Sequence, residues 1–176
     1  SLGPDDLVIA LISGGGSALV AAPRAGIPLE EKIAVTTLLA NAGADITQLN
    51  LVRRAASDVK GGGLARASTA GRMLVLVLSD VIGDPLRSIA SGPCLPEAGD
   101  AAAALAVLER FGAIAVGVAP RLVALLRADV SRAAGTEQRP QVTNTGSWTT
   151  PRSCRVDHVL LGGNAEAVAA AATAAR

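Results

Sequence analysis

Three short apolar runs, each followed at once by a polar turn that contains glycine, constrain the fold of this 176-residue chain most strongly. The runs are LVIALI at Leu7–Ile12, MLVLVL at Met73–Leu78 and VDHVLL at Val156–Leu161. Continuous apolar runs of this length are typical of parallel strands that are covered on both faces. The sequence therefore predicts three strands of a mainly parallel sheet. If the strands are parallel, the turns Ser13–Ser17, Ser79–Asp84 and Gly162–Asn164 lie along the same edge of it.

Helical patterns occupy the intervals between these runs. They cover Pro28–Gly43, Ile46–Val59, Asp100–Gly112, Ala119–Val130 and Asn164–Arg176. Strands that alternate with helices indicate an α/β fold, here a Rossmann-like layered sheet that is mainly parallel and flanked by helices. The polar stretch 131–155 is predicted to be a long loop within the same domain.

Composition argues against several classes of function. The net charge is +1, and Phe111 and Trp148 are the only aromatic residues, so the clustered charge and stacking rings of a nucleic-acid interface are missing. The sequence has neither a signal peptide at its start nor an apolar run long enough to cross a bilayer. We therefore expect a cytoplasmic protein without nucleic-acid or membrane partners. Cys94 and Cys154 lack metal-ligand spacing and are expected to be free thiols.

The first polar turn, SGGGS, follows the first predicted strand. Ligands of open parallel sheets bind beyond the carboxyl ends of the strands. Gly14, Gly15 and Gly16 let backbone N–H groups approach an anion, and Ser13 and Ser17 add hydroxyl donors. A helix that starts after the turn would add a favourable dipole. The turn matches neither the Walker pattern nor GxGxxG, so a purely structural corner stays the alternative interpretation.

Two further turns carry polar groups of the same kind. In SDVIGD, Ser79 and Asp80 end the second predicted strand and Asp84 follows a glycine, an arrangement in which two carboxylates suit Mg²⁺. The alternative is that these aspartates cap the next turn. In IASGPCLP, Ser91 and the backbone of Gly92 offer ligand contacts, and a rigid structural turn is again the alternative.

Lys60 precedes a second glycine triplet in DVKGGGLA. Arg53 lies three residues after Asn50, and Ser57 lies four residues after Arg53 and seven after Asn50. These spacings place the three side chains on one face of the predicted helix, as a polar stripe that leads towards Lys60. A lysine beside flexible backbone suits an anionic ligand. A solvated lysine at a helix end is the alternative.

The motifs also occur in a specific order along the chain. LISGGGSAL is followed by EEKIAVTTLLANAGADITQLNLVRRAASDVKGGGLA, by LVLSDVIGDPLRSIASGPCLPE and by GGNAEAV. This series resembles the class II glycerate kinases, glycerate 2-kinases that carry a C-terminal MOFRL domain and of which some members are labelled hydroxypyruvate reductases. The resemblance implies transfer of the γ-phosphate of ATP to the 2-hydroxyl of D-glycerate with Mg²⁺, in a cleft between two domains.

The resemblance also implies roles for individual residues. Lys60, Asp80 and Arg53 are the expected catalytic residues, with Asp80 the first choice of general base, and Asp80 and Asp84 are the expected Mg²⁺ ligands. The expected ATP- or substrate-binding positions are Ser13, Gly14, Gly15, Gly16, Ser17, Asn50, Ser79, Ser91, Gly92, Pro93 and Asn164.

The sequence departs from the family pattern in three places. An earlier segment with a GAGKA-like turn and the MOFRL domain are both missing, and Ala55 stands where many members carry histidine. We therefore expect residues 1–176 to form an incomplete domain that supplies one wall of the cleft. Strand Leu7–Ile12 and helix Asn164–Arg176 should then expose apolar side chains and favour self-association.

Two other functions remain open from the sequence. The first is an NAD(P)H-dependent hydroxypyruvate reductase, although these residues contain no GxGxxG turn with a downstream acidic residue. The second is an inactive ligand-binding α/β module.

Overall fold

The structure is a computed structural model, described here over residues 2–96, 100–133 and 146–175. Its elements in chain order are β1 (Leu7–Ser13), α1 (Gly16–Leu19), α2 (Leu29–Asn41), α3 (Ile46–Ala55), α4 (Gly63–Ala67), β2 (Arg72–Leu78), a 3₁₀ turn (Ile89–Ser91), α5 (Ala101–Arg110), α6 (Pro120–Ala133), β3 (Ser147–Thr149), β4 (Arg155–Gly162) and α7 (Asn164–Ala174).

The chain forms two compact units where the sequence predicted one partial domain. The first, which we call the sheet unit, comprises Ser1–Val20, Val59–Glu97 and Pro140–Arg176. The second, the helical unit, comprises Ala21–Asp58 and Ala98–Arg139. All four strands belong to the sheet unit, and α2, α3, α5 and α6 belong to the helical unit.

The predicted α/β fold with a mainly parallel sheet is confirmed. The strand order is β1-β2-β4-β3, in which β1, β2 and β4 are parallel and β3 is antiparallel to β4. At the carboxyl ends, Ser13 pairs with Leu78, and Leu78 pairs with Gly162. The polar turns after the three parallel strands therefore leave the sheet at one edge, as the sequence predicted.

The two faces of this sheet differ in their exposure. One face packs into a core with Met73, Val75, Val77 and Val156, each 3% exposed or less. On β1 the alternate residues point away from that core, and Leu11 is 75% exposed. The expectation that the strands are covered on both faces is therefore wrong for β1. The predicted exposure of apolar side chains on this strand is confirmed, and α7 likewise has no buried residue.

The helical unit has a core of its own. Helices α2, α3, α5 and α6 pack on one another around aliphatic side chains that include Leu39, Val52, Leu108, Leu122 and Leu126. An aliphatic core is the consequence of a composition almost without aromatic rings. Helices α2, α3, α5 and α6 therefore bury their apolar faces against one another.

Helix boundaries follow local hydrogen bonds. The helix predicted over Ile46–Val59 ends at Ala55, because the backbone then turns to bond with Ala22. Asp58 N donates to the Ala22 carbonyl at 3.0 Å, and Ser57 Oγ donates to the same oxygen at 3.1 Å. Asp45 begins this helix with a capping box that Gln48 completes.

The stretch 131–155, predicted as a loop, is ordered at both of its ends. Residues 131–133 continue α6, and Ser147–Thr149 form β3. Trp148 anchors β3 because its Nε1 donates to the Cys94 carbonyl at 3.0 Å. Residues 134–145 lie outside the described residues.

Candidate functional site

The carboxyl edge of the sheet brings together the turns after β1, β2 and β4. Ser79 N donates to the Gly162 carbonyl at 2.9 Å, which ties the turn after β2 to the end of β4. The same register places Ser13 beside Leu78. Polar groups that are far apart in sequence are therefore neighbours at this edge.

Asp80 lies directly against the glycine turn after β1. Its carboxylate occupies the space in which a side chain at Gly14 would begin, so a Cβ at that position would overlap the carboxyl group. The first glycine of SGGGS thus has a specific steric role, because it admits the Asp80 carboxylate to the backbone of the loop.

Asp84 has the same relationship with the turn after β4. A Cβ at Gly163 would lie 2.6 Å from Asp84 Oδ2 and 2.8 Å from Oδ1. Asp84 has a φ of 50°, which is rare for a residue other than glycine. Its Oδ1 is buried and has no hydrogen-bond partner among the described residues. The sequence analysis placed the turn Gly162–Asn164 at this edge but gave Gly163 no role of its own.

The SGGGS loop adopts a conformation that requires glycine at its centre. Gly15 has a φ of 76°. Helix α1 then runs for four residues only, so its dipole adds less than the sequence suggested. A ligand at this loop would be bound by backbone N–H groups and hydroxyls. Ser13 is exposed and Ser17 is half-buried.

Lys60 is buried and bound to this loop. It is 4% exposed, and its Nζ donates to the Ser17 carbonyl at 2.5 Å and to Ser17 Oγ. Ser17 Oγ also lies 2.7 Å from Ser91 Oγ. The interpretation of Lys60 as a solvated lysine is therefore wrong, and three motifs meet at the Ser17 hydroxyl.

The second glycine triplet interlocks with ASGPC through its backbone. Gly61 N donates to the Ser91 carbonyl at 3.0 Å, and Gly62 N donates to the Gly92 carbonyl at 2.8 Å. A Cβ at Gly62 would overlap the Leu95 carbonyl oxygen. Ser91, Gly92 and Pro93 are all buried. This packing supports the structural alternative for the ASGPC turn, which holds Lys60 in place.

The remaining predicted positions are more separate. In the sheet unit, the Ser79 hydroxyl accepts from Val81 N at 3.2 Å within its own turn, and the half-buried Asn164 begins α7. Asn50 and Arg53 are half-buried on α3 of the helical unit. Ser57 follows the end of α3, so the predicted polar stripe along one helix face stops before it.

Lys32 is a charged residue that the sequence analysis passed over. It is 8% exposed, and its Nζ is buried with no hydrogen-bond partner among the described residues. Burial, and secondarily the positive charge of Arg53, lowers the pKa of Lys32. Its position as the fourth residue of α2, directly after Glu30 and Glu31, gave no signal that it would be buried.

The remaining titratable side chains of the sheet core show no sign of nucleophilic chemistry. Cys94 and Cys154 are buried free thiols, as predicted. Burial, and secondarily the proximity of Cys154, raises the pKa of Cys94 to about 12. His158 is half-buried on β4, with Nδ1 3.4 Å from the Gly146 carbonyl, and burial lowers its pKa.

The described residues contain neither a cluster of metal-ligating side chains nor a membrane-spanning helix. No group of three or more His, Cys, Asp or Glu side chains is arranged to hold a metal ion there. Within the same ranges, no helix combines the length and apolar character that crossing a membrane requires.

Comparison with known families places the chain. A family model described as Domain of unknown function (DUF4147) matches residues 1–127. The chain belongs to this family. A glycerate kinase from Macaca fascicularis is 42% identical to this chain over 168 residues, which cover 95% of this chain and 38% of the relative. A protein from Agrobacterium vitis named "Putative hydroxypyruvate reductase" is 47% identical over 111 residues, 63% of this chain and 25% of the relative.

A solved structure to which this chain is similar is also that of a glycerate kinase. The crystal structure of a glycerate kinase from Thermotoga maritima superposes with a TM-score of 0.67 at 36% sequence identity, covering 92% of this chain and 34% of that one. The chain thus spans 38% or less of the length of each of these relatives. Family membership and the resemblance to glycerate kinases stated from the motifs are confirmed.

Proposed function

We propose that this protein takes part in ATP-dependent phosphorylation of D-glycerate at the 2-hydroxyl, giving 2-phosphoglycerate. The observation that carries the proposal is the 42% identity to a glycerate kinase over 95% of the chain. The carboxyl edge of the sheet supports it, because it groups a glycine loop with two carboxylates. We further propose a cytoplasmic location and self-association of the chain.

In this proposal the sheet unit supplies groups for positioning and charge neutralisation, which phosphoryl transfer needs most. Backbone N–H groups of Gly14, Gly15 and Gly16 and the hydroxyls of Ser13 and Ser17 bind phosphate oxygens. Ser79 and Asn164 lie at the same edge and complete its polar lining. The oxygen of the glycerate 2-hydroxyl attacks the γ-phosphorus of ATP, and the bond between that phosphorus and the β–γ bridging oxygen breaks. Asp80 accepts the proton that the 2-hydroxyl loses.

The residues at this edge fit Mg²⁺. Asp84 Oδ1 is a buried carboxylate oxygen that lacks a hydrogen-bond partner among the described residues, and Mg²⁺ is commonly held by one or two carboxylates together with substrate phosphates. We propose Asp84 as the principal ligand and Asp80 as the second candidate. When bound, the ion would neutralise charge on the phosphate oxygens.

The predicted roles of Asn50 and Arg53 remain predictions, because both residues lie on α3 of the helical unit. Arg53 provides a planar guanidinium suited to a carboxylate or a phosphate.

The test is an assay of the purified protein with ATP, Mg²⁺ and D-glycerate, with the product identified by NMR. We expect phosphate on the 2-hydroxyl. Asp84→Asn should lower kcat/KM by about tenfold or more, because it removes a carboxylate from the phosphate site. The exposed Asp5→Asn is a matched control outside the edge. Product phosphorylated on the 3-hydroxyl would contradict the proposal.

Hydroxypyruvate reduction is the competing outcome. The name of the A. vitis relative favours it, whereas the SGGGS turn does not match the dinucleotide fingerprint. Loss of NADH absorbance that depends on hydroxypyruvate, in a protein that does not consume ATP, would establish the reductase instead. Binding of Mg·ATP without either reaction would indicate an inactive ligand-binding module.

A further inference from the structure

An αα-hairpin in the helical unit carries two positive side chains at the same end. Helices α2 and α3 are joined by the four residues 42–45 and pack on each other, so the first turn of α2 lies beside the last turn of α3. Lys32 lies in that part of α2, and Arg53 lies near the end of α3. The hairpin therefore brings the two cations to the same end, close enough that the charge of Arg53 lowers the pKa of Lys32.

Neither cation has a counter-charge in the part of the chain that the structure describes. Among residues 2–96, 100–133 and 146–175, no carboxylate forms an ion pair with Lys32 or Arg53. Glu31, adjacent to Lys32 in sequence, instead accepts from Arg121 N at 3.1 Å and Leu122 N at 3.3 Å. Its carboxylate is therefore committed to the start of α6.

The environment of Lys32 makes the missing counter-charge costly. The residue is 8% exposed, and its Nζ has no hydrogen-bond partner among the described residues. Burying an ammonium that lacks a partner is unfavourable, and a second positive charge nearby makes it more so. Both effects are visible in the lowered pKa of Lys32, for which burial is the larger cause and Arg53 the smaller.

The geometry points to a binding site for a small anionic oxygen group, a carboxylate or a phosphate, formed by Lys32 and Arg53. An anion would supply the missing charge and the missing hydrogen-bond acceptor at once. Arg53 is half-buried, so it presents a planar fork of donors nearer the surface while the Lys32 ammonium forms the inner end. Asn50 lies one turn before Arg53 on α3, where its amide can add a further donor.

Two sources share this chemistry, namely the carboxylate of D-glycerate and a phosphate group of ATP. Naming either one rests on the proposed kinase function, whereas the anion site itself does not. Binding measured without turnover therefore separates the two questions. If the protein binds the anion at Lys32 but does not phosphorylate D-glycerate, the anion site is supported and the proposed kinase function is contradicted.

Lysine-selective NMR provides a direct test, because the chain has only two lysines, Lys32 and Lys60. With 13C at the ε position, each lysine gives one signal, and Lys32→Met assigns them. Titration with inorganic phosphate or with D-glycerate is expected to shift the Lys32 signal. A shift confined to Lys60, which contacts the SGGGS loop, or no shift at saturating anion would overturn the proposal.

Calorimetry on variants gives the second test. The measured ligand is the anion that shifts the NMR signal of Lys32. Lys32→Met and Arg53→Met should each lower the affinity for this anion by about tenfold or more, since each variant removes a charged donor. Arg127→Gln, an exposed arginine of the same unit, removes the same charge and should change affinity less than about twofold. Equal affinity in the wild type and both Met variants would contradict the site.

Stability distinguishes the site from a mere packing role. Without anion, Lys32→Met is expected to have the same or a higher melting temperature, because an unpaired buried ammonium is removed. Saturating phosphate should raise the melting temperature of the wild type and leave Lys32→Met less affected. Comparing D-glycerate, phosphate and Mg·ATP in this assay identifies which source binds best. Equal stabilisation of both proteins by all three would reject the proposal.

Discussion

The Asp80 carboxylate fills the space that a side chain at Gly14 would need, so the turn after β2 and the turn after β1 are in direct contact. Gly14 is therefore needed because it has no side chain, which lets the Asp80 carboxylate approach the backbone of the loop, and not only because glycine is flexible. We expect Gly14→Ala to displace the Asp80 carboxylate and to lower kinase kcat by about tenfold or more. Because Asp80 is exposed and its side chain can rotate away, the melting temperature should change little. Steady-state kinetics and thermal unfolding measure the two effects. Gly3→Ala, in a turn with space for the added methyl group, is the control, and equal activity in both variants would argue against the contact.

Lys60 should control the order of the SGGGS loop through Ser17. We expect Lys60→Met to increase hydrogen exchange of the backbone amides of residues 15–19 by about tenfold, because it removes the donors that hold Ser17. Ser91→Ala should have a smaller effect in the same direction, through its contact with Ser17 Oγ. Exchange mass spectrometry without any ligand measures this. Ser68→Ala removes another buried serine of the sheet unit and is the control. Unchanged loop exchange in both Lys60→Met and Ser91→Ala would rule out the positioning role.

Glu31 should stabilise the helical unit through α6. Its carboxylate accepts from two backbone N–H groups at the start of that helix, so Glu31→Ala should lower the free energy of unfolding by about 1 kcal/mol. Glu30→Ala removes the same charge from the same first turn of α2 and controls for the helix dipole. Urea unfolding measures both variants. Glu31→Gln retains an acceptor oxygen and is expected to recover part of the loss, whereas equal losses in Glu30→Ala and Glu31→Ala would contradict the tertiary cap.

Cys94 should make stability fall at alkaline pH. Burial, and secondarily the proximity of Cys154, raises the pKa of its thiol from 9.0 to about 12. Above pH 9 the unfolded state therefore binds fewer protons than the folded state. The free energy of unfolding is therefore expected to decrease as pH rises from about 9 towards 11. Denaturant unfolding at several pH values should give a smaller slope for Cys94→Ala than for the wild type. An identical slope in the two proteins would contradict the raised pKa.

The exposed face of β1 should drive association between copies of the chain. Leu11 is 75% exposed and Ile9 is 57% exposed, on a strand whose opposite face is packed. Leu11→Gln is expected to reduce self-association in sedimentation velocity experiments by removing apolar surface. Ile46→Gln alters a similarly exposed aliphatic residue of the helical unit and is the control. A wild-type protein that stays monomeric at high concentration would refute the prediction.

Local pattern in the sequence was sufficient for the three parallel strands and for the five longer helices. A continuous apolar run followed by a glycine turn specifies a strand whatever its partners are, although it does not fix how far each face is covered. Helix periodicity with caps such as Asp45 is equally local. The ordered motifs also identified the family correctly. The short strand β3 lacked such a signal, because three residues give no periodicity and Trp148 anchors them through a bond to distant Cys94.

The sequence by itself determined the strands, their parallel arrangement and the edge at which the polar turns meet, because these follow from periodicity and from a general rule for parallel sheets. Only the tertiary structure decided that Gly14 faces Asp80, that Gly163 faces Asp84, and that Lys60 is buried against Ser17 rather than solvated. It also decided that Lys32 is buried with no hydrogen-bond partner among the described residues, close enough to Arg53 that the charge of Arg53 lowers its pKa. Each of these relationships joins residues from different elements, and the free energy of a buried charge depends on those neighbours, which local sequence does not specify.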